Sequence, residues 1–132
     1  MNNKIITTYF SKMAKIPDNY VKIIITRYPP KWLDIKNTPR CFLAKCFSPS
    51  SDILMKHKKD LDWDDYVKRF NHQIKYSAEY KRVSQLLVNN INTKGSKYAL
   101  ICFEKDPSRC HRTLVAENIK SRFGIEYNEF IE

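Results

Sequence analysis

The residues best suited to chemistry in this chain lie between Cys102 and Arg112. Glu104 and His111 are candidates for proton transfer, because a carboxylate and an imidazole can each accept and release a proton. Cys110 is the candidate reactive thiol, and it stands beside His111 and Arg112 in the sequence Cys-His-Arg. These residue types suit a site that holds an anion and moves a proton, although they do not identify a reaction.

This stretch is predicted to run from the end of a strand into the first turn of a helix. Ligands of parallel α/β sheets bind beyond the carboxyl ends of the strands, and the free N–H groups of a first helical turn favour an anion. Arg109 and Arg112 would add positive charge and forked hydrogen-bond donors. The same surroundings would lower the pKa of the Cys110 thiol. We therefore expect a phosphorylated or nucleotide-like anion at the turn before Cys110.

A third arginine is predicted at the same edge of the sheet. Val21–Arg27 is rich in β-branched residues, and Tyr28-Pro29-Pro30 ends this strand because proline cannot donate to a ladder. Arg27 is therefore expected to meet Glu104 and Arg112 in one crevice, where Glu104 would orient both arginines until an anion competes for them. On this interpretation, Arg112→Ala should abolish ligand binding with little loss of fold.

The same residues also have a purely structural interpretation. Asp106 to Ser108 would then be an ordinary helix cap, Cys110 a packing residue, and the arginines solvated partners of nearby glutamates. Phosphatase chemistry is excluded by spacing, because the first arginine after Cys102 is Arg109, one residue too far for Cys-x5-Arg.

The rest of the pattern predicts a single α/β domain over residues 1–132. Strands are expected at Ile5–Phe10, Val21–Arg27, Cys41–Phe47, Tyr98–Phe103 and Ile125–Ile131. A first helix is expected after an N-cap at Asp60 or Asp62, with an apolar stripe of Trp63, Tyr66, Val67, Phe70 and Ile74. A second is expected over Ala78–Asn90, before a turn at Asn92–Ser96. A third is expected from a cap at Ser108 or a neighbour to a stop at Gly124. This alternation implies a Rossmann-like three-layer fold with a mainly parallel sheet. Neither glycine follows a strand into a helix, which excludes the dinucleotide fingerprint and the P-loop.

The charge of the chain favours polyanionic partners. The formal net charge is +10, and the lysines are scattered along the chain. Nucleic acid is therefore a candidate partner, and a basic nucleic-acid-binding module without catalytic activity is the alternative function. No apolar run reaches the ~20 residues that cross a bilayer, and the first residues lack a signal-peptide pattern. We expect a cytoplasmic protein without membrane contact.

The four cysteines are expected to be reduced thiols, because no export signal is evident. No Cys-x-x-Cys pair occurs, and the gap between Cys41 and Cys46 is wide for a zinc knuckle. Cys102 and Cys110 are assigned other roles, so no metal and no cofactor is expected.

The stretch Ala99–Arg112 resembles the signature of family 488 of the domains of unknown function, an apolar strand followed by Cys-x-Glu, Asp-Pro and Cys-His-Arg. Ile25–Pro30 resembles that family's strand ending in arginine before prolines, although Ile25 stands where the family often has an acidic residue. Phe47–Ser51 and Trp63–Phe70 resemble its shorter branch, so the resemblance covers about residues 20 to 124. It implies a Rossmann-like fold and an active site at the Cys-His-Arg motif, without an assigned reaction.

Overall fold

The computed structural model describes residues 3–59 and 62–130, apart from the side chains of residues 56–59. The strands are β1 Ile5–Tyr9, β2 Val21–Ile24, β3 Cys41–Leu43, β4 Tyr98–Cys102 and β5 Tyr127–Glu129. The α-helices are α1 Ser51–Lys59, α2 Trp63–Tyr76, α3 Ala78–Lys94 and α4 His111–Phe123. Short 3-10 turns lie at Phe10–Lys15, Ile35–Asn37, Lys45–Phe47 and Pro107–Arg109.

The five strands form one sheet in the order β3-β2-β4-β1-β5, and every pairing is parallel. β4 lies at the centre, where all five of its residues are buried. A strand that is covered on both faces has a continuous run of apolar residues, and this run is why β4 was predicted from the sequence. The predicted α/β fold with a mainly parallel sheet is confirmed, and the alternation of strands and helices is that of Rossmann-like proteins.

The two faces of the sheet are covered differently. One face carries Ile23, Leu100 and Cys102 and packs against the buried sides of the α-helices. The other carries Ile24 and Ile101 and packs against the 3-10 turn Phe10–Lys15 and the chain that follows it. The alternation follows from the two-residue period of a strand. The α-helices therefore form a layer on one face, and a 3-10 turn with loop residues forms the layer on the other.

Most element starts agree with the sequence, whereas several ends differ. β2 stops at Ile24, so the prediction that this strand reaches Arg27 is wrong, and β5 covers only Tyr127–Glu129. Asp62 caps α2 by accepting a hydrogen bond from the Asp65 N–H, whereas Asp60 lies outside the described residues. α3 continues through the predicted turn to Gly95, whose left-handed conformation (φ 67°) ends the helix. The predicted third strand stops at Leu43 because the chain enters a 3-10 turn.

One helix was missed entirely. α1 begins at Ser51, after Ser50 accepts a hydrogen bond from the Ile53 N–H. A serine in this position is a common N-cap, so the sequence did contain a signal for it. None of the helices in the described part of the chain has both the length and the apolarity needed to cross a bilayer.

The aromatic stripe on α2 gives the first testable prediction. Phe70 is fully buried and its neighbours Tyr66 and Ile74 are buried with it, as the helical spacing predicted. Phe70→Ala should lower the free energy of unfolding by about 3–5 kcal/mol, because it removes a buried aromatic ring and leaves a cavity. Denaturant titration measures this change. Tyr76→Ala, on the exposed side of the same helix, is the control and should change the free energy of unfolding little. A similar loss in both variants would contradict the assignment.

Candidate functional site

A cavity of about 420 Å³ opens at the carboxyl ends of β2 and β4. Its walls come from the residues after β2, from the segment between β4 and α4, and from α1 and α2. The lining residues are Thr26, Arg27, Tyr28, Pro49, Leu54, Tyr66, Cys102, Phe103, Glu104, Arg109, Cys110 and His111. The strand-end rule for parallel sheets therefore located the cavity correctly. Five of the six residues singled out from the sequence line it, and Arg112 does not.

Arg27 brings an available positive charge to this cavity. Its Nε donates a hydrogen bond to the Pro49 carbonyl oxygen at 2.8 Å, which fixes the side chain. No hydrogen bond from its two Nη groups is found among the described residues, so four N–H donors remain for a ligand. Arg109 lines the same cavity from an exposed position after β4. Two arginines, one after β2 and one after β4, therefore line the cavity.

Thr26 is a residue that the sequence reasoning missed. It precedes Arg27, lines the cavity and is buried, and its hydroxyl has no hydrogen-bond partner in the described part of the chain. A buried polar group without a partner is costly, so such groups often mark a place where a ligand or water binds. The sequence pattern placed Thr26 inside the predicted strand Val21–Arg27, whereas β2 ends at Ile24 and Thr26 lies in the segment after it, where ligands of parallel sheets collect.

His111 is the first residue of α4 and ties that helix to β2. Its Nε2 lies 2.5 Å from the Ile25 carbonyl oxygen. Burial is the main cause that lowers the pKa of His111 to about 4, and the nearby positive charge of Arg112 lowers it further. The ring is therefore neutral at pH 7. Because a carbonyl oxygen only accepts, the proton resides on Nε2 and Nδ1 is the unprotonated nitrogen.

Cys102 and Cys110 are joined by a disulfide in this structure. The expectation that these two thiols are reduced is therefore wrong here, because the 3-10 turn Pro107–Arg109 returns the chain so that the start of α4 meets the end of β4. In this state Cys110 carries no thiolate, and Cys41 and Cys46 are the free cysteines of the described residues. Burial raises the pKa of both, that of Cys46 to about 11. The sequence spacing gave no hint of this pairing.

The helix N-terminus is built differently from the predicted cap. Asp106 caps the 3-10 turn by accepting from the Ser108 N–H at 3.0 Å, and α4 then starts at His111. Cys110 occupies the N-cap position without a side-chain cap bond. A second hydrogen bond, from the Ser108 hydroxyl at 2.8 Å, is the main cause that lowers the pKa of Asp106, and the bond from the Ser108 N–H lowers it further. Cys110 and His111 therefore lie at the start of the helix, as predicted.

Arg112 is fully buried and its guanidinium group is saturated by the protein. Nε and Nη2 donate to the two carboxylate oxygens of Glu129 on β5 at 3.1 and 2.9 Å. Nη1 donates to the Glu104 carbonyl oxygen and to Cys102 Sγ at 3.2 Å, and Nη2 also reaches the Lys105 carbonyl oxygen at 3.1 Å.

All five N–H donors of Arg112 are thus used within the protein. The expected meeting of Arg27 and Arg112 in one crevice does not occur, because Arg112 is buried behind the lining residues Cys102 and Glu104 and is paired with Glu129 on β5. Glu104 does not orient the two arginines through its carboxylate. It contacts Arg112 through its backbone carbonyl, and its exposed side chain lines the cavity.

The buried Arg112 leads to a prediction opposite to the one made from the sequence. Arg112→Met should lower the free energy of unfolding by about 3–5 kcal/mol, because it leaves the largely buried Glu129 carboxylate without its cation and with only the Thr7 hydroxyl as a donor among the described residues. It also removes the donor to two loop carbonyls. Denaturant titration is the measurement. Arg82→Met removes an exposed arginine paired with Glu79 and should leave the free energy of unfolding nearly unchanged. Equal free energies of unfolding for the Arg112 variant and the wild type would instead support the expectation that Arg112 can be replaced with little loss of fold.

His111 should make the stability of the fold depend on pH. Its pKa of about 4 in the folded chain is below the ordinary value of 6.5, so between these pH values the unfolded chain binds a proton that the folded chain does not. The free energy of unfolding should therefore be highest above pH 6.5 and fall by up to about 3 kcal/mol as the pH drops to 4.

The control for this pH dependence is His111→Gln, whose amide N–H can donate to the same Ile25 carbonyl without titrating. The variant should lose less free energy of unfolding than the wild type over the same pH range. Parallel pH curves for the two proteins would show that His111 is not the titrating group.

Comparison with known proteins identifies the family of the chain. The family model DUF488-N3a, described as the active DUF488-N3 subclade, matches residues 6–123. No curated protein and no solved structure matches the chain. The matched range extends from β1 to the end of α4 and includes the whole Cys-His-Arg stretch. The chain belongs to the DUF488-N3a subclade.

Proposed function

We propose that the cavity at the ends of β2 and β4 binds a phosphorylated, nucleotide-like anion. The carrying observation is the pair Thr26 and Arg27, which line the cavity with a buried hydroxyl and a guanidinium group that both have donors to spare. Donors of this kind suit phosphate oxygens, and a guanidinium group can hold two of them at once. Arg109 adds a second positive charge to the cavity lining.

The remaining walls suit a flat organic group. Tyr28 and Phe103 line the cavity and are 65% and 53% exposed. An exposed aromatic ring at a cavity mouth can stack on a nucleobase, an interaction of about 1–3 kcal/mol per base. The cavity volume of about 420 Å³ lies in the range of small-molecule sites. A nucleoside monophosphate would place its phosphate on the arginines and its base on these rings.

Glu104 and His111, which also line the cavity, would transfer protons to and from such a ligand. Glu104 offers an exposed carboxylate, and His111 offers Nδ1 as an unprotonated base at pH 7. Cys110 could act as a thiolate only in the reduced chain. These assignments name the groups that would move a proton or form a bond, and they leave the reaction open.

An aromatic row beyond the cavity favours nucleic acid as the second candidate ligand. Phe103 packs on Phe10 with ring centres 4.9 Å apart, and Phe10 contacts the exposed Trp32 at 6.1 Å. A strand longer than one nucleotide could stack on the exposed rings of Phe103 and Trp32, between which the buried Phe10 lies. The net charge of +10 would attract its backbone.

Calorimetric titration with adenosine monophosphate, inorganic phosphate and adenosine tests the anion proposal. Adenosine monophosphate should bind more tightly than either fragment, because only it uses both the arginines and the aromatic rings. Arg27→Met should weaken its binding at least ~10-fold, since a charged hydrogen bond contributes about 1.5–3 kcal/mol. Arg82→Met, outside the cavity, should bind as the wild type does. Equal affinities for adenosine and its monophosphate, or an unaffected Arg27 variant, would refute the proposal.

The same titration with a single-stranded oligothymidylate separates the two candidate ligands. A nucleic-acid-binding module loses affinity steeply with salt and would depend on Trp32, as judged by Trp32→Ala. A cavity for a small anion would be indifferent to Trp32 and would prefer the mononucleotide.

A further inference from the structure

Three buried side chains with metal-binding atoms meet at the inner wall of the cavity. The sulfurs of Cys102 and Cys110 and an imidazole nitrogen of His111 all lie within 4.8 Å of one another. Ligand atoms around a tetrahedral zinc ion are separated by roughly 3.5 Å, as follows from Zn–S and Zn–N bonds of about 2.3 and 2.0 Å. The three atoms are thus gathered closely enough to share one ion once the two sulfurs are free to part.

The separation of the two cysteine backbones fits an ion between them. The Cα atoms of Cys102 and Cys110 are 7.6 Å apart. This exceeds the ~4.4–6.8 Å usual across a disulfide and leaves room for an atom between two thiolates. The backbone therefore does not have to move apart to admit a metal.

The surroundings of the three residues are those of metal ligands. A histidine that binds a metal usually donates its other N–H to a carbonyl or carboxylate, which fixes the ring. His111 does this through Nε2 and the Ile25 carbonyl oxygen, so that Nδ1 is the nitrogen left to bind a metal. Arg112 Nη1 donates to Cys102 Sγ at 3.2 Å, an interaction that stabilises a thiolate.

We propose that, in the reduced chain, Cys102, Cys110 and His111 form a three-ligand site for Zn²⁺ whose fourth position is open to the cavity. All three residues line that cavity, so a bound ion would be reachable by water or by a ligand. Three protein ligands with one open position are typical of catalytic zinc sites, whereas structural sites are closed by four. No metal site was expected from the sequence, because the Cys41–Cys46 gap is wide and Cys102 and Cys110 were given other roles. The fold brings those two sulfurs together with His111, which the sequence spacing does not indicate.

The disulfide and the metal site are alternative states of the same two sulfurs. A phosphine reductant converts the disulfide and one water into two thiols, and the phosphine leaves as its oxide. Zn²⁺ then displaces the two thiol protons and binds both thiolates, with no further change in oxidation state. This inference does not rest on the proposed anion binding.

The test is zinc binding by the full chain reduced with a phosphine in the absence of chelator. After addition of zinc and gel filtration, elemental analysis should find about one zinc per chain. Cobalt in place of zinc should give the thiolate-to-metal charge-transfer and intense visible bands of a tetrahedral site. Without reduction, neither signal should appear. Arg27→Met should bind zinc as the wild type does, which separates this result from the binding of adenosine monophosphate.

The variants identify the ligands. Cys110→Ser should lose stoichiometric zinc, and His111→Gln, which keeps a donor for Ile25 but lacks Nδ1, should bind at least ~10–100-fold more weakly. Cys46→Ser, a free cysteine outside the cavity, should bind normally. If Cys110→Ser does not fold, the thiolate bands of the wild-type cobalt complex and the His111 variant still decide the question. No zinc in the reduced wild type, or zinc unaffected by both ligand variants, would overturn the proposal.

Discussion

The guanidinium group of Arg112 joins the start of α4 to β5 and to the segment after β4, which forms one wall of the cavity. It pairs with both carboxylate oxygens of Glu129 on β5, donates to two carbonyls of the segment after β4, and contacts the sulfur at the end of β4. A fully buried guanidinium group is tolerated only when every donor has a partner and the charge is balanced, and both conditions are met here. The conformation of the segment between β4 and α4 therefore depends on the buried guanidinium group and its pairing with Glu129.

Two neighbouring residues at the start of α4 distribute this support across the sheet. His111 binds the chain after β2 through the Ile25 carbonyl, and Arg112 binds β5, which lies on the other side of the central β4. The helix is thus fixed to both halves of the sheet within its first turn. The start of α4 therefore forms a wall of the cavity that is bonded to both sides of the sheet, and Arg27, Glu104 and Arg109 bring charged groups to the same cavity.

Local pattern predicted much of this arrangement from the sequence. The buried run of β4, the stripe through Phe70, and the helix stop at Gly124 each depend on neighbours within a few residues. The strand-end rule then placed Arg27 and Glu104 at one cavity, although 77 positions separate them in the sequence.

The errors concern contacts that no local pattern records. Arg112 has the same side chain as Arg27. Its pairing with Glu129 on the edge strand β5 buries its guanidinium group in the protein, and the sequence around Arg112 does not indicate that pairing. Cys102 and Cys110 meet because a 3-10 turn reverses the chain between them, and their spacing of eight residues fits no familiar motif. The hydroxyl of Thr26 stands out only in the structure, which shows that it is buried and has no hydrogen-bond partner among the described residues.

A crystal structure of the chain with adenosine monophosphate tests the central claim most directly, that Arg112 supports the fold and Arg27 faces the ligand. The account predicts phosphate oxygens within hydrogen-bond distance of Arg27 and Thr26, with the Arg112–Glu129 pair unbroken. A phosphate bound to Arg112 with Glu129 displaced, or a nucleotide seated away from this cavity, would contradict it.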